Sequence, residues 1–95
     1  MTKAEKAYKE TVASIGCVIC REHYDVKNPC ELHHVGEGSG ARSEYMLVGL
    51  CADHHRNGST SLHGAGVKQF LRLFGLPTEY HLLELVNKYR AIDGK

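Results

Sequence analysis

The chain has 95 residues, enough for one domain with a small apolar core, a size at which a metal or disulfides commonly complete the stability. Twelve Lys and Arg against eleven Asp and Glu leave a net charge of +1, which excludes a strongly basic nucleic-acid scaffold and by itself does not decide for or against a DNA partner. No secretory signal and no membrane-spanning apolar run is visible, so the expectation is a cytoplasmic protein with reduced thiols.

In chain order, Ala4, Tyr8, Val12 and Ile15 recur at helical spacing, so a helix is expected from Lys3 to Ile15 with Gly16 as its stop. Cys17 and Cys20 follow as a tight knuckle. Residues 21–29 are polar and end in the turn signal Asn28-Pro29. Cys30 to Val35 reads as a strand in which Cys30 and Leu32 alternate with polar neighbours, and Tyr45 to Leu50 as a second, buried strand. Gly36, Gly38 and Gly40 make the connection between them flexible; it lacks the spacing and the lysine of a phosphate-binding P-loop.

Cys51 to Asn57 fits a short helix capped by Gly58, and Ser59 to Gly66 a loop that carries His63. Val67, Phe70, Leu71 and Phe74 form a helix face stopped by Gly75. Pro77 opens a last helix to about Ala91, with Leu82, Leu83, Val86 and either Tyr89 or Arg90 on its covered side. The class is α+β: a two-strand, one-helix unit in a single domain, with a helix before it and two after it.

Cysteine and histidine dominate the chemistry. Cys17-x-x-Cys20 supplies two ligands from one turn, and Cys51-x-x-His54 two more from the start of a helix, the pattern of a tetrahedral structural zinc. Cys30, mid-strand beside Leu32, reads as a small core residue, with a swap for His54 left open. Two adjacent histidines on one helical turn diverge by roughly 100°, so His54 and His55 are able to face different metals. The doublet His33-His34 cannot aim both rings at one ion from a regular strand and must sit at a strand end or twist. His23 and His81 stand outside the pattern and read as structural or exposed.

Glu31-Leu32-His33-His34-Val35, a Gly-rich loop and Leu47 through Arg56, with Cys51-Ala52-Asp53-His54-His55 inside it, resemble the HNH (ββα-metal) nuclease motif. The segment from Cys17 to about His63, with Leu62-His63-Gly64 and the Phe70–Gly75 helix end, is similar to small phage HNH proteins of the recombination-enhancement (Ref) type. The resemblance implies a ββα-metal (HNH) core stapled by Zn2+, and DNA as substrate with little sequence preference. It further implies that His34 is the general base and that His33 and His55 hold a catalytic divalent cation such as Mg2+, Mn2+, Ni2+ or Zn2+. His63 would complete the metal shell or touch the scissile phosphate; Arg42 and Arg56 are candidates for phosphate contacts. The roles of His33 and His34 are interchangeable at this level. The family's central Asn falls near Met46, where this chain has none. Recombination or packaging proteins are candidate partners, in a host cytoplasm if the chain is phage-encoded. The competing reading is a zinc-stapled DNA-binding or protein-interaction module without catalysis.

Overall fold

The computed structural model describes residues 1–36 and 43–94. Arg42, an expected phosphate contact, lies outside the described residues, as does most of the Gly-rich connection.

Helix α1 runs Lys3–Ile15 and begins with a capping box, in which the Thr2 hydroxyl accepts from Glu5 N–H and Glu5 accepts from Thr2 N–H. Its Val12 and Ile15 are buried, while Tyr8 is half-buried and donates through its hydroxyl to Leu47 C=O at 3.4 Å. Gly16 ends the helix at φ 82°, pressed against Asn28 C=O so closely that a Cβ would collide with it. That contact starts the first knuckle, because Cys17 N–H donates to the same carbonyl at 3.1 Å.

The polar stretch after Cys20 contains a second helix that periodicity does not reveal: α2, Val18–Tyr24. Only its first turn, Val18, Ile19 and Cys20, is buried, so seven residues never complete an apolar stripe. Cys17 caps it through its sulfur, and Asp25 closes it in the left-handed region at φ 54°. Glu22 holds α2 to the last helix, accepting from Lys88 Nζ at 2.8 Å and the Tyr89 hydroxyl at 2.7 Å.

Strands β1, Glu31–His34, and β2, Leu47–Leu50, form an antiparallel pair with His33 opposite Val48 and His34 opposite Leu47. All four residues of β2 are buried, since helices α1 and α2 and the last helix pack against it. In β1 the alternation differs from expectation: the buried side chain is His33, with Leu32 only half-buried. Val35 N–H donates to Met46 C=O at 2.8 Å, so a backbone bond joins the strand ends where the resemblance would place an Asn.

Helix α3 is a single turn, Ala52–His55, shorter than the expected Cys51–Asn57. The expected loop after it contains another turn of helix, α4, Leu62–Ala65, because Ser61 Oγ accepts from Gly64 N–H at 2.8 Å. Helix α5 spans Val67–Leu73 and α6 His81–Asp93. The last helix therefore starts four residues after Pro77, the intervening Thr78–Tyr80 forming a turn whose carbonyls receive the amides of His81, Leu82 and Leu83. The covered side of α6 is Leu82, Val86 and Tyr89; Arg90 is exposed and its guanidinium lies over the Tyr8 ring. The core joins Val12, Ile15, Ile19, Val48, Leu50, Phe70, Leu82 and Val86. Among the described residues, no helix is long and apolar enough to cross a membrane.

Candidate functional site

Two groups of ligating side chains flank α3. In the first, Cys17, Cys20, Cys51 and His54 present ligand atoms that all lie within 4.8 Å of one another. His54 Nδ1 is 3.6 Å from Cys17 Sγ, 3.5 Å from Cys20 Sγ and 3.3 Å from Cys51 Sγ, and the Cys20 and Cys51 sulfurs are 3.7 Å apart. A tetrahedral zinc with ordinary Zn–S and Zn–N bonds has ligand-to-ligand edges of roughly 3.5–3.8 Å. These four edges, 3.3–3.7 Å, lie close to those values, and the group can hold a metal such as zinc.

The surroundings suit that task. Cys20 N–H points at Cys17 Sγ and Asn28 Nδ2 at Cys20 Sγ, donors that stabilise sulfur as thiolate. Burial pushes the Cys17 thiol up to about 12, so it needs a bound cation to ionise. Burial likewise lowers His54, which favours the neutral, ligating imidazole. Tyr24 stacks on the His54 ring and Phe74 meets it edge-on, and Cys17, Cys20 and His54 are buried while Cys51 is half-buried. Cys30 is not a member: its sulfur faces the Val12 and Ala13 carbonyls under α1, and His54 takes the fourth corner.

The second group is His33, His55 and His63, again with ligand atoms within 4.8 Å of one another. Their ring centroids are 5.3 Å (His33–His55), 5.8 Å (His33–His63) and 4.8 Å (His55–His63) apart. They come from β1, α3 and α4, and grade outward from buried His33 through half-buried His55 to exposed His63. Three imidazoles with one side open to solvent leave coordination positions for water or a phosphate oxygen, unlike the more buried, four-membered sulfur centre. Burial pulls His33 below the ordinary imidazole value most strongly; neighbouring Glu79 opposes this, while His55 and His63 add to it.

A family model for recombination enhancement, RecA-dependent nuclease, matches residues 1–88. The chain belongs to that family. The matched span of this RecA-dependent nuclease family holds both histidine-bearing groups and reaches into α6. A nuclease family implies DNA as the substrate. No curated protein and no solved structure matches the chain.

Within the nuclease, His34 does not join the three-histidine group. It is the last residue of β1, and its Nε2 lies 3.4 Å from Glu44 Oε1. Arg56, an expected phosphate contact, is engaged with a carboxylate: its Nε and NH2 each reach Glu31 Oε2 at 2.9 Å. His23 packs on Phe74, and His81 sits beside Thr78 and Glu84; both are outside the two groups.

Sequence reasoning passes over two carboxylates of the site. Glu31 Oε1 meets His55 Nδ1 at 2.9 Å, which leaves His55 Nε2 for a metal. Arg56, followed by His55, holds the Glu31 carboxyl down at about 2, so it stays ionised. A signal for it exists: Glu31 and His33 are two apart on a strand and share a face. Glu79 Oε1 lies 3.3 Å from His33 Nε2 and accepts from Gly36 N–H at 3.2 Å. Forty-six positions separate Glu79 from His33, and nothing local to either announces the contact.

Proposed function

We propose that this chain is a metal-dependent DNA endonuclease of the HNH type that hydrolyses phosphodiester bonds, with His34 as general base. The observation that carries the reading is the pair of centres divided by adjacent residues of α3, His54 turned to the cysteines and His55 to His33 and His63. A closed sulfur-rich centre beside an open imidazole centre matches the division between a structural zinc and a working cation. Zn2+ suits the first donor set; Mg2+, Mn2+, Ni2+ or Zn2+ are candidates for the second.

A divalent cation there would neutralise charge on the scissile phosphate and on the leaving oxygen. His33 and His55 hold their positions through Glu79 and Glu31, and His63, being exposed, closes the set from the DNA side. Membership of His33 in this group favours His33 as ligand and His34 as base over the reverse. Glu44 lies 3.4 Å from His34 Nε2 and so orients the ring, as an acidic partner does for other histidine bases. His34 takes the proton of the attacking water, the water oxygen bonds to phosphorus, and the bond to the 3′ oxygen breaks. The leaving oxygen is protonated from solvent, giving 5′-phosphate and 3′-hydroxyl ends. Arg56, exposed at the end of α3, and Arg42 are candidate phosphate contacts.

The test is cleavage of supercoiled plasmid and of single-stranded DNA with Mg2+, Mn2+ or Ni2+, each with and without RecA. Nicking by the native chain that falls by about 10²-fold or more in His34→Ala, with zinc content and melting unchanged, is the expected result. DNA binding without cleavage under every condition would return the chain to a zinc-stapled module.

A further inference from the structure

Helices α1 and α6 and the turn before β2 enclose a cavity of about 540 Å³, none of whose lining residues belongs to either ligand group. Ala4 and Ala7 keep the α1 wall low, and Tyr8, Thr11, Tyr45, Leu83, Asn87 and Arg90 supply the rest. The volume is that of a small-ligand site, for which roughly 300–1,000 Å³ is usual. The lining offers two phenol rings, a guanidinium and an amide, and no carboxylate. The Tyr8 and Tyr45 rings lie 5.5 Å apart with their planes at 60°, so neither covers the other by stacking. Tyr45 is exposed. Arg90 is exposed too, 5.7 Å above the Tyr8 ring, and has no carboxylate partner among the described residues.

We propose that this cavity binds an unpaired nucleotide of the DNA substrate, with its base stacked on Tyr45 and its phosphate on Arg90. This rests on the reading of the chain as a DNA nuclease. An aromatic platform beside a cation is how proteins commonly hold a single strand, because every base has a π-face and every nucleotide an anionic phosphate. The Asn87 amide adds a donor and an acceptor for a base edge. A base inside a duplex is covered on both faces by its neighbours and cannot reach such a platform without leaving the stack. An apolar helix of a partner protein suits the cavity less, since it would bury Arg90 and Asn87 without partners.

Position favours the same occupant. The Tyr8 hydroxyl donates to Leu47 C=O at 3.4 Å, and Leu47 is the strand partner of His34, a pairing that spans roughly 5 Å between Cα atoms. Tyr45 directly follows Glu44, whose Oε1 lies 3.4 Å from His34 Nε2. The cavity therefore adjoins the end of the hairpin that carries the proposed base. Glu44 is the carboxylate next to Tyr45 in the chain, and Lys9 Nζ faces it at 3.9 Å, which moderates its repulsion of a phosphate. A nucleotide held here would fix the strand close to the bond to be cut.

The experiment measures binding of labelled oligothymidylate, and of a duplex of equal length, to zinc-loaded protein across a salt series. No further divalent cation is added, so binding is read apart from cleavage. Tyr45 and Arg90 are exposed, and their variants should melt as the native chain does. The expected result is that Tyr45→Leu binds the single strand about tenfold more weakly, while Tyr45→Phe, which keeps a ring, binds as the native chain. Arg90→Gln should weaken binding and reduce the salt slope by roughly 0.7, the loss of one phosphate contact on a single strand. Duplex affinity should not change in Tyr45→Leu, and 5-iodouracil in the oligonucleotide should crosslink to Tyr45. Single-strand affinity and salt slope unchanged in Tyr45→Leu and Arg90→Gln overturn the site alone. The same unchanged binding with loss of RecA-dependent cleavage overturns it in favour of a protein-docking face. A native chain that binds no DNA also overturns the site, and if it cuts none either, the nuclease reading falls with it.

Discussion

Glu31 shows how much a single side chain outside the ligand set decides. Its Oε1 meets both His55 and Arg56 while Oε2 takes Arg56 alone, so one carboxylate sets the ring orientation of a candidate ligand and ties the residue after it. Outer carboxylates of this kind commonly change metal affinity by about 10–100-fold. Glu31→Gln should therefore weaken cation binding at the histidine centre by roughly tenfold or more, with zinc retained at the cysteines. Calorimetric titration measures it, and an unchanged affinity would mean that His55 needs no brace. The cysteine ligands are legible in the sequence because each pair sits within one turn, where chain geometry alone brings positions i and i+3 together. His33 is legible from its motif, but its burial is not, because the strand pattern points to Leu32 as the covered residue.

At the scale of elements, one turn of helix separates two groups of side chains that could hold a metal. Helix α3 has four residues, and its last two point to different centres because consecutive helical positions diverge by roughly 100°. Helices α2 and α4, where the sequence pattern suggests loops, each contribute something to a centre: Cys20 from α2 and His63 from α4. Both are shorter than the length at which hydrophobic periodicity becomes visible, and both are begun by a side-chain cap instead. Helix α2 is also fastened to α6 by Glu22. Lys88 above all, then Tyr89, hold the Glu22 carboxyl below its ordinary value. The folded group is thus depressed relative to the unfolded one, so its contribution is full above the unfolded value and fades as pH falls through the folded value. Glu22→Gln should lower the melting temperature at pH 7 by a few degrees, from a loss of roughly 0.5–1 kcal/mol at a half-exposed site. The gap between native and variant should narrow steadily on acidification toward pH 4. A gap independent of pH would show that the ion pair contributes nothing.

The whole molecule is small, with a Cα radius of gyration of 12.6 Å, and its core draws on almost every element. The cysteine centre ties the chain near its start to α3 across the whole hairpin, closing a loop of about thirty residues. Closing so long a loop removes much conformational freedom from the unfolded chain, and a structural zinc commonly makes folding conditional on metal. Cys17→Ser should lose zinc and be unfolded at ordinary temperature by circular dichroism, and chelation of the native chain should do the same. A melting temperature unmoved by either would refute the staple. His55 follows His54 directly, so loss of the cysteine centre should also abolish cation binding at the histidines, although no residue of that second group is touched.

What the sequence determined by itself was the inventory and its local arrangement: the α+β class, both strands, the first helix and the knuckle pairs. These depend on spacing, which a chain carries without knowing its neighbours. Tertiary structure alone decided which carboxylates meet which histidines, that His54 and not Cys30 completes the sulfur centre, and that Glu79 reaches β1 from the turn before α6. The physical reason is distance along the chain. Contacts formed within a turn follow from backbone geometry, but a contact across forty-six residues exists only because the packed core sets where both ends of it lie.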